Sequence, residues 1–255
     1  MKETDQDLPL IQHHELRAHK VWDLPVRLFH WLNVLCVLGL IVVGTFILQA
    51  NNLGVSAEGK VTLKIIHAWI GYVFTFNLLW RLVHAFTGNR YARWSAIVPG
   101  GKAYVSRLRE YTKGLLLGNA PAYKGHNPLG RIMVTIMYAL LITQMTTGLV
   151  LAGTDLYFPP FGHEFAEWVT AAGEDHSLLQ GLQPGVKEGL NPEAYAAMRR
   201  FRAPFIEIHE IVYYLLLGAI FLHIAAVVIT EIKEKQGLVS AMLTGEKILD
   251  KPSED

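Results

Sequence analysis

The chain has 255 residues, with 23 Lys and Arg against 22 Asp and Glu, and the resulting net charge of +1 argues against nucleic acid as a partner. It is 51% hydrophobic and holds one cysteine, Cys36, which excludes a disulfide framework and any cluster of cysteine metal ligands. The apolar residues are concentrated, because 28–57, 65–80, 132–154 and 211–230 contain no Asp, Glu, Lys or Arg. A bilayer core needs about 20 such residues in a helix, so membrane spans are expected.

In chain order, the first twenty residues include Lys2, Glu3, Asp5, Asp7, Glu15, Arg17 and Lys20 without an apolar core. No cleavable signal peptide is expected, and the first span serves as the insertion signal. That span covers about 28–50 and contains Cys36. The second covers about 65–86, with Arg81 snorkelling and VHAF completing its length. A basic loop, 87–129, follows. Within it, roughly 99–117 sets Tyr104, Leu108, Tyr111 and Leu115 at helical spacing beside Lys102, Arg107, Arg109 and Lys113. This predicts an interfacial helix lying on anionic lipid. The third span is about 130–152 and the fourth about 207–230. Between them, 152–205 opens with GTDLYFPPFG and includes a short helix near 192–202, which predicts an ordered cap. The expected fold is an all-α membrane protein, one domain built as a four-transmembrane-helix bundle.

Seventeen of the 23 lysines and arginines fall in 1–30, 81–131 and the tail after 230, and six fall in the other connecting segments. The positive-inside rule therefore puts both termini in the cytoplasm and 152–205 outside.

The last span carries His209 and His223, 14 residues apart. At 3.6 residues per turn and about 1.5 Å per residue, both face nearly one way, about 21 Å apart along the axis. His30 begins the first span and His67 the second. Alternating topology then matches depths in pairs, His67 with His209 outside and His30 with His223 inside. For any single histidine, a hydrogen bond to a neighbouring helix would suffice. The joint pattern instead suits two stacked haems, held non-covalently because no Cys-x-x-Cys-His is present. Zinc or copper normally draws three or four ligands from a compact cluster, whereas each depth here supplies two.

The 17 residues from His67 to His84 leave these two roughly 100° apart around the helix, which makes His84 an interfacial histidine among headgroups. His126, in GHNP, is expected in an exposed loop bordering a quinone pocket. His163 and His176 are expected to be exposed, and His13, His14 and His19 lie in the polar tail. Gly39, Gly44, Gly71, Gly148 and Gly218 would let flat macrocycles or neighbouring helices approach the backbone. Arg27, Arg81 and Arg131 stand where haem propionates or a quinone head could meet them, or where they simply anchor helix ends.

The stretches VWDLPVRLFHWLNVLCVLGLIVVGTFI, IHAWIGYVFTFNLLWRLVHAFTGNRYAR, GHNPLGRIMVTIMYALLITQMTTGLVL and IHEIVYYLLLGAIFLHIAAVV cover all four spans. In them the chain resembles the bacterial cytochrome b561-type family, above all the b-type cytochrome subunits of nickel–iron hydrogenases. The resemblance implies a four-helix, haem b-bearing protein of the bacterial inner membrane that relays electrons between a periplasm-facing enzyme and the quinone pool. By position, it implies that His67 and His209 hold an outer haem and His30 and His223 an inner one. The outer segment 152–205 looks longer than in hydrogenase subunits, so a formate dehydrogenase, a thiosulfate reductase or a soluble c-type cytochrome stands beside a hydrogenase as candidate partner. Two rival readings are a self-sufficient superoxide:quinone oxidoreductase of the b561 type and a haem-free membrane anchor.

Overall fold

The computed structural model describes residues 17–171, 176–234, 236–249 and 252–254. The tail 1–16, which bears on the signal-peptide expectation, and His13 and His14 within it lie outside the described residues, as does the side chain of His176. Four long helices dominate: α1 (Leu24–Leu48), α2 (Ala57–Thr87), α5 (Pro128–Leu156) and α7 (Pro192–Glu234). Each is long and apolar enough to cross a membrane. Their starts are written locally. The side chains of Asp23, Ser56 and Asn127 accept hydrogen bonds from the N–H groups of Val26, Gly59 and Gly130, at 3.1, 3.1 and 2.7 Å. Pro25 and Pro128 sit in the first turns of α1 and α5, where a missing N–H costs nothing.

The helices pack as two pairs, α1 with α2 and α5 with α7, joined where α2 meets α5. Phe29 and Val37 of α1, Phe74 and Leu78 of α2, Tyr138 and Leu141 of α5 and Leu216 of α7 form the central core. Outside it the large apolar side chains face outward, among them Leu35, Phe76, Phe86 and Phe221, each more than two-thirds exposed. An apolar girdle of that extent is a surface made for lipid.

At one end, α1 and α5 begin while α2 and α7 finish. Here β1 (Arg17–Lys20) pairs antiparallel with β2 (Glu246–Leu249), which follows α8 (Leu238–Thr244). His19 is thus a strand residue, opposite Lys247. The loop between α2 and α5 holds α3 (Trp94–Ile97) and α4 (Tyr104–Leu117). The tyrosine face of α4 does not lie on lipid as its spacing suggested. Tyr104 and Tyr111 are buried, donating to the carbonyl of Pro128 and the carboxylate of Glu234, both at 2.7 Å. Their hydroxyls need acceptors, and the bundle supplies them.

At the opposite end, the separate helix expected near 192–202 is instead the beginning of α7, which runs through Pro204 without a break. At about 1.5 Å per residue its 43 residues reach about 65 Å, twice the hydrocarbon thickness, so its first turns stand clear of the bilayer. There α6 (Gly162–Thr170) packs on it through Phe165, Val169 and Met198, and Phe201 touches the rings of Phe165, Trp168 and Phe205. The 152–205 segment is thus ordered around a small core of its own. Truncating Met198, 1% exposed, to Ala would cost about 2–5 kcal/mol, expected as a lowered thermal midpoint in detergent and faster proteolysis between α6 and α7.

Candidate functional site

His67 projects from α2 and His209 from α7 into a cavity of about 420 Å³ between the two helix pairs, within the size range of cofactor pockets. Their ring centroids are 6.3 Å apart with planes at 73°. Two glycines make room for them. A Cβ on Gly44 of α1 would stand 3.3 Å from His67 Cε1, and one on Gly148 of α5 would stand 3.4 Å from His209 Cε1. These glycines therefore face histidine rings, while Gly39 faces Ile70 and Gly71 and Gly218 face open space.

Thr147, a residue no sequence pattern singled out, lies 2.8 Å from His209 Nδ1. Its hydroxyl donates to the Thr143 carbonyl at 2.8 Å, so its oxygen accepts from Nδ1–H and the lone pair of Nε2 is left for the cavity. Around the mouth, Asp155 pairs with Lys64 and Arg202, each at 2.5 Å. Lys64 and Asp155 end their spans, and Arg202 precedes the fourth. Each reads as an ordinary flanking charge until the fold brings them together.

His30 of α1 and His223 of α7 are half-buried toward the other end of the bundle. Asn77 of α2 donates to the Phe29 carbonyl at 3.1 Å, fixing the backbone just before His30. Three expectations need correction at this end. Arg81 does not snorkel: it is 3% exposed, donates to the Ala92 carbonyl at 2.9 Å and lies over the rings of Phe29 and Tyr138. His84 is not free among headgroups, because its Nε2 lies 3.1 Å from the carboxylate of Asp23, the residue capping α1. His126 is no exposed loop residue. It is half-buried, with Nδ1 enclosed, and packs on Trp22 at 4.7 Å. Burial first, and then the nearby positive charges of Lys247, Arg81 and Arg131, push its pKa down to about 3. His163 is exposed as expected, with Glu167 one turn along at 3.2 Å.

Among the described residues, no three of His, Cys, Asp and Glu gather closely enough to hold a metal unaided. A group that brings most of its own donors is what two facing imidazoles suit. Residues 21–245 match the family described as prokaryotic cytochrome b561. The chain belongs to the prokaryotic cytochrome b561 family. Relatives agree. It is 33% identical over 166 residues to the probable Ni/Fe-hydrogenase 1 B-type cytochrome subunit of Escherichia coli strain K12, covering 59% of this chain and 69% of that protein. It is 27% identical over 250 residues, 92% of this chain and 90% of the relative, to the probable Ni/Fe-hydrogenase B-type cytochrome subunit of Rhizobium leguminosarum bv. viciae. The subunit so named from Rhodobacter capsulatus is 28% identical over 238 residues, 89% of this chain and 80% of its own length.

A b-type cytochrome carries haem b and transfers electrons within the membrane, which sets the haem-free anchor aside. The residues present fit the cofactor. Two imidazoles bound to one iron from opposite sides, at about 2.0 Å per bond, put their ring centroids about 6 Å apart, close to the separation of His67 and His209. Gly148→Ala is expected to displace the His209 ring, read as altered low-spin haem resonances in the purified cytochrome with the protein still inserted in the membrane.

Proposed function

We propose that this cytochrome carries two haems and moves single electrons across the bacterial inner membrane between a periplasmic redox partner and the quinone pool. Its His67 and His209 hold the outer haem and its His30 and His223 the inner one. One observation carries this reading. The nine buried side-chain polar atoms without a partner, among the described residues, fall into two groups. Three of them, on His67, Gln144 and Arg202, line the cavity of the first histidine pair. Six, on Arg27, His30, Asn33, Arg81, His126 and Arg131, lie toward the end where α1 and α5 begin. Unpaired polar atoms are costly in a low-dielectric interior, so each cluster argues for a ligand at its own depth.

Held by these histidines, haem b would supply a one-electron couple, the chemistry of electron transfer rather than of oxygen binding. The chain's own residues set the conditions. Thr147 holds His209 in one tautomer, Gly44 and Gly148 let the rings sit close to the backbone, and the apolar walls exclude water. The cap formed by α6 and the start of α7 is the docking face for the partner, a hydrogenase-like enzyme or a c-type cytochrome. The names of the relatives support a hydrogenase. The clustering of Lys and Arg toward the opposite face supports cytoplasmic termini and an outward cap.

Haem content and redox titration of the purified protein test the reading. The expected result is two haems per chain, one lost in His209→Ala and the other in His223→Ala. A single haem in the unaltered protein, or no loss in either variant, overturns it. A hydrogenase or c-type cytochrome should co-purify from gently solubilised membranes. Quinone reduction by superoxide with the purified chain alone would select the self-sufficient oxidoreductase instead.

A further inference from the structure

The two rings in the cavity are backed alike but held differently. Each turns its Cε1 and Nδ1 edge to a glycine that adjoins a threonine, His67 to Gly44 beside Thr45 on α1, and His209 to Gly148 beside Thr147 on α5. On α5 the threonine serves the histidine. Thr147 gives its own proton to the Thr143 carbonyl and accepts from His209 Nδ1 at 2.8 Å. On α1 the threonine is engaged elsewhere. Thr45 donates to the Ile41 carbonyl at 2.7 Å, so its oxygen accepts from the hydroxyl of Tyr213 on α7 at 2.9 Å. Nδ1 of His67 is enclosed with no hydrogen-bond partner.

An imidazole that binds a metal through Nε2 carries its proton on Nδ1. An acceptor at that proton fixes the ring, raises its basicity and is worth about 10–100-fold in metal affinity. His209 has such an acceptor and His67 lacks one. The unpaired N–H is a cost that ligation through the other nitrogen does not relieve.

Free space falls on the same side. One turn beyond His67 on α2 is Gly71, which lines the cavity and where a Cβ would meet nothing within 4 Å. The corresponding position on α7, one turn beyond His209, is Tyr213, held by Thr45. His67 therefore has room beside it, whereas His209 is fixed from behind and bounded on its own helix by a tethered tyrosine.

We propose that the two histidines are unequal ligands: His209, locked by Thr147, anchors the haem of this cavity, and His67 is the exchangeable one, whose place a small neutral ligand takes. This rests on the reading of His67 and His209 as ligands to one haem. The exchange replaces one neutral donor with another, so it needs no electron and no proton.

Haem content and optical spectra of the purified full-length protein, reduced with dithionite with and without carbon monoxide, test this. His67→Ala is expected to keep the haem that His209→Ala loses, and added imidazole should return its spectrum to that of the unaltered protein. Carbon monoxide should shift the spectrum of one haem in the unaltered protein, the one absent from His209→Ala. Thr147→Val should weaken retention of that haem about 10–100-fold, and Thr147→Ser should preserve it. Equal loss of haem in His67→Ala and His209→Ala, or the lack of any carbon monoxide form of that haem, overturns the inequality. So does carbon monoxide binding only at the haem that His223→Ala removes. Should His67→Ala fail to insert, the carbon monoxide spectrum of the unaltered protein decides alone. If His209→Ala removes no haem, the cavity is not a haem site and the reading beneath the proposal falls instead.

Discussion

A polar nitrogen inside a bilayer has no water to turn to, and the architecture of this cytochrome is arranged around that constraint. His67 and His209 come from different helix pairs and meet ring to ring across a cavity. Once they are there, their neighbours are restricted. Glycines back both rings, leaving them close to the neighbouring helices, and Thr147 sits one hydrogen bond behind His209. The apolar core fills the space between the pairs below the cavity, and the outward leucines and phenylalanines meet lipid.

The two ends of the bundle meet the same constraint with different chemistry. Around the cavity mouth, cations and an acid balance one another, with Asp155 between Lys64 and Arg202. At the opposite end the guanidinium of Arg81 lies against aromatic rings, and it and Arg131 hold loop carbonyls. An end where an acid sits between two cations and an end where a guanidinium lies on aromatic rings impose different fields on whatever sits beside them. Coulomb terms of this kind grow as the local dielectric falls, so the burial of Arg81 matters as much as its charge.

Four helices were legible because charge-free runs of bilayer length leave few alternatives, and the meeting of His67 with His209 was legible because alternating topology assigns depth. What escaped depended on partners far away in the chain. Pro204 reads as a break, yet α7 continues through it where the cap packs along its first turns. Arg81 reads as a snorkelling residue because a sequence does not say that the loop carbonyl of Ala92 will fold back to meet it. The tyrosines of α4 have the spacing of a lipid-facing stripe, and only the tertiary fold brings Pro128 and Glu234 to their hydroxyls. His126 sits in a Gly- and Pro-flanked tetrapeptide that looks like exposed loop, whereas Trp22, remote in sequence, covers it.

The small sheet closing one end joins Arg17–Lys20 to Glu246–Leu249, so the first described strand waits for almost the last. Contacts that span most of a chain carry the largest loop-closure cost and form late. Trp22 lies just beyond the first strand, and Lys247 lies within the second. The wall they build around His126 is therefore finished only after α7 has crossed the membrane. The cavity of His67 and His209 needs no such seam. Assembly of the cytochrome has a built-in order, with the chamber between the helix pairs available first and the opposite end sealed by the closing of the chain on itself.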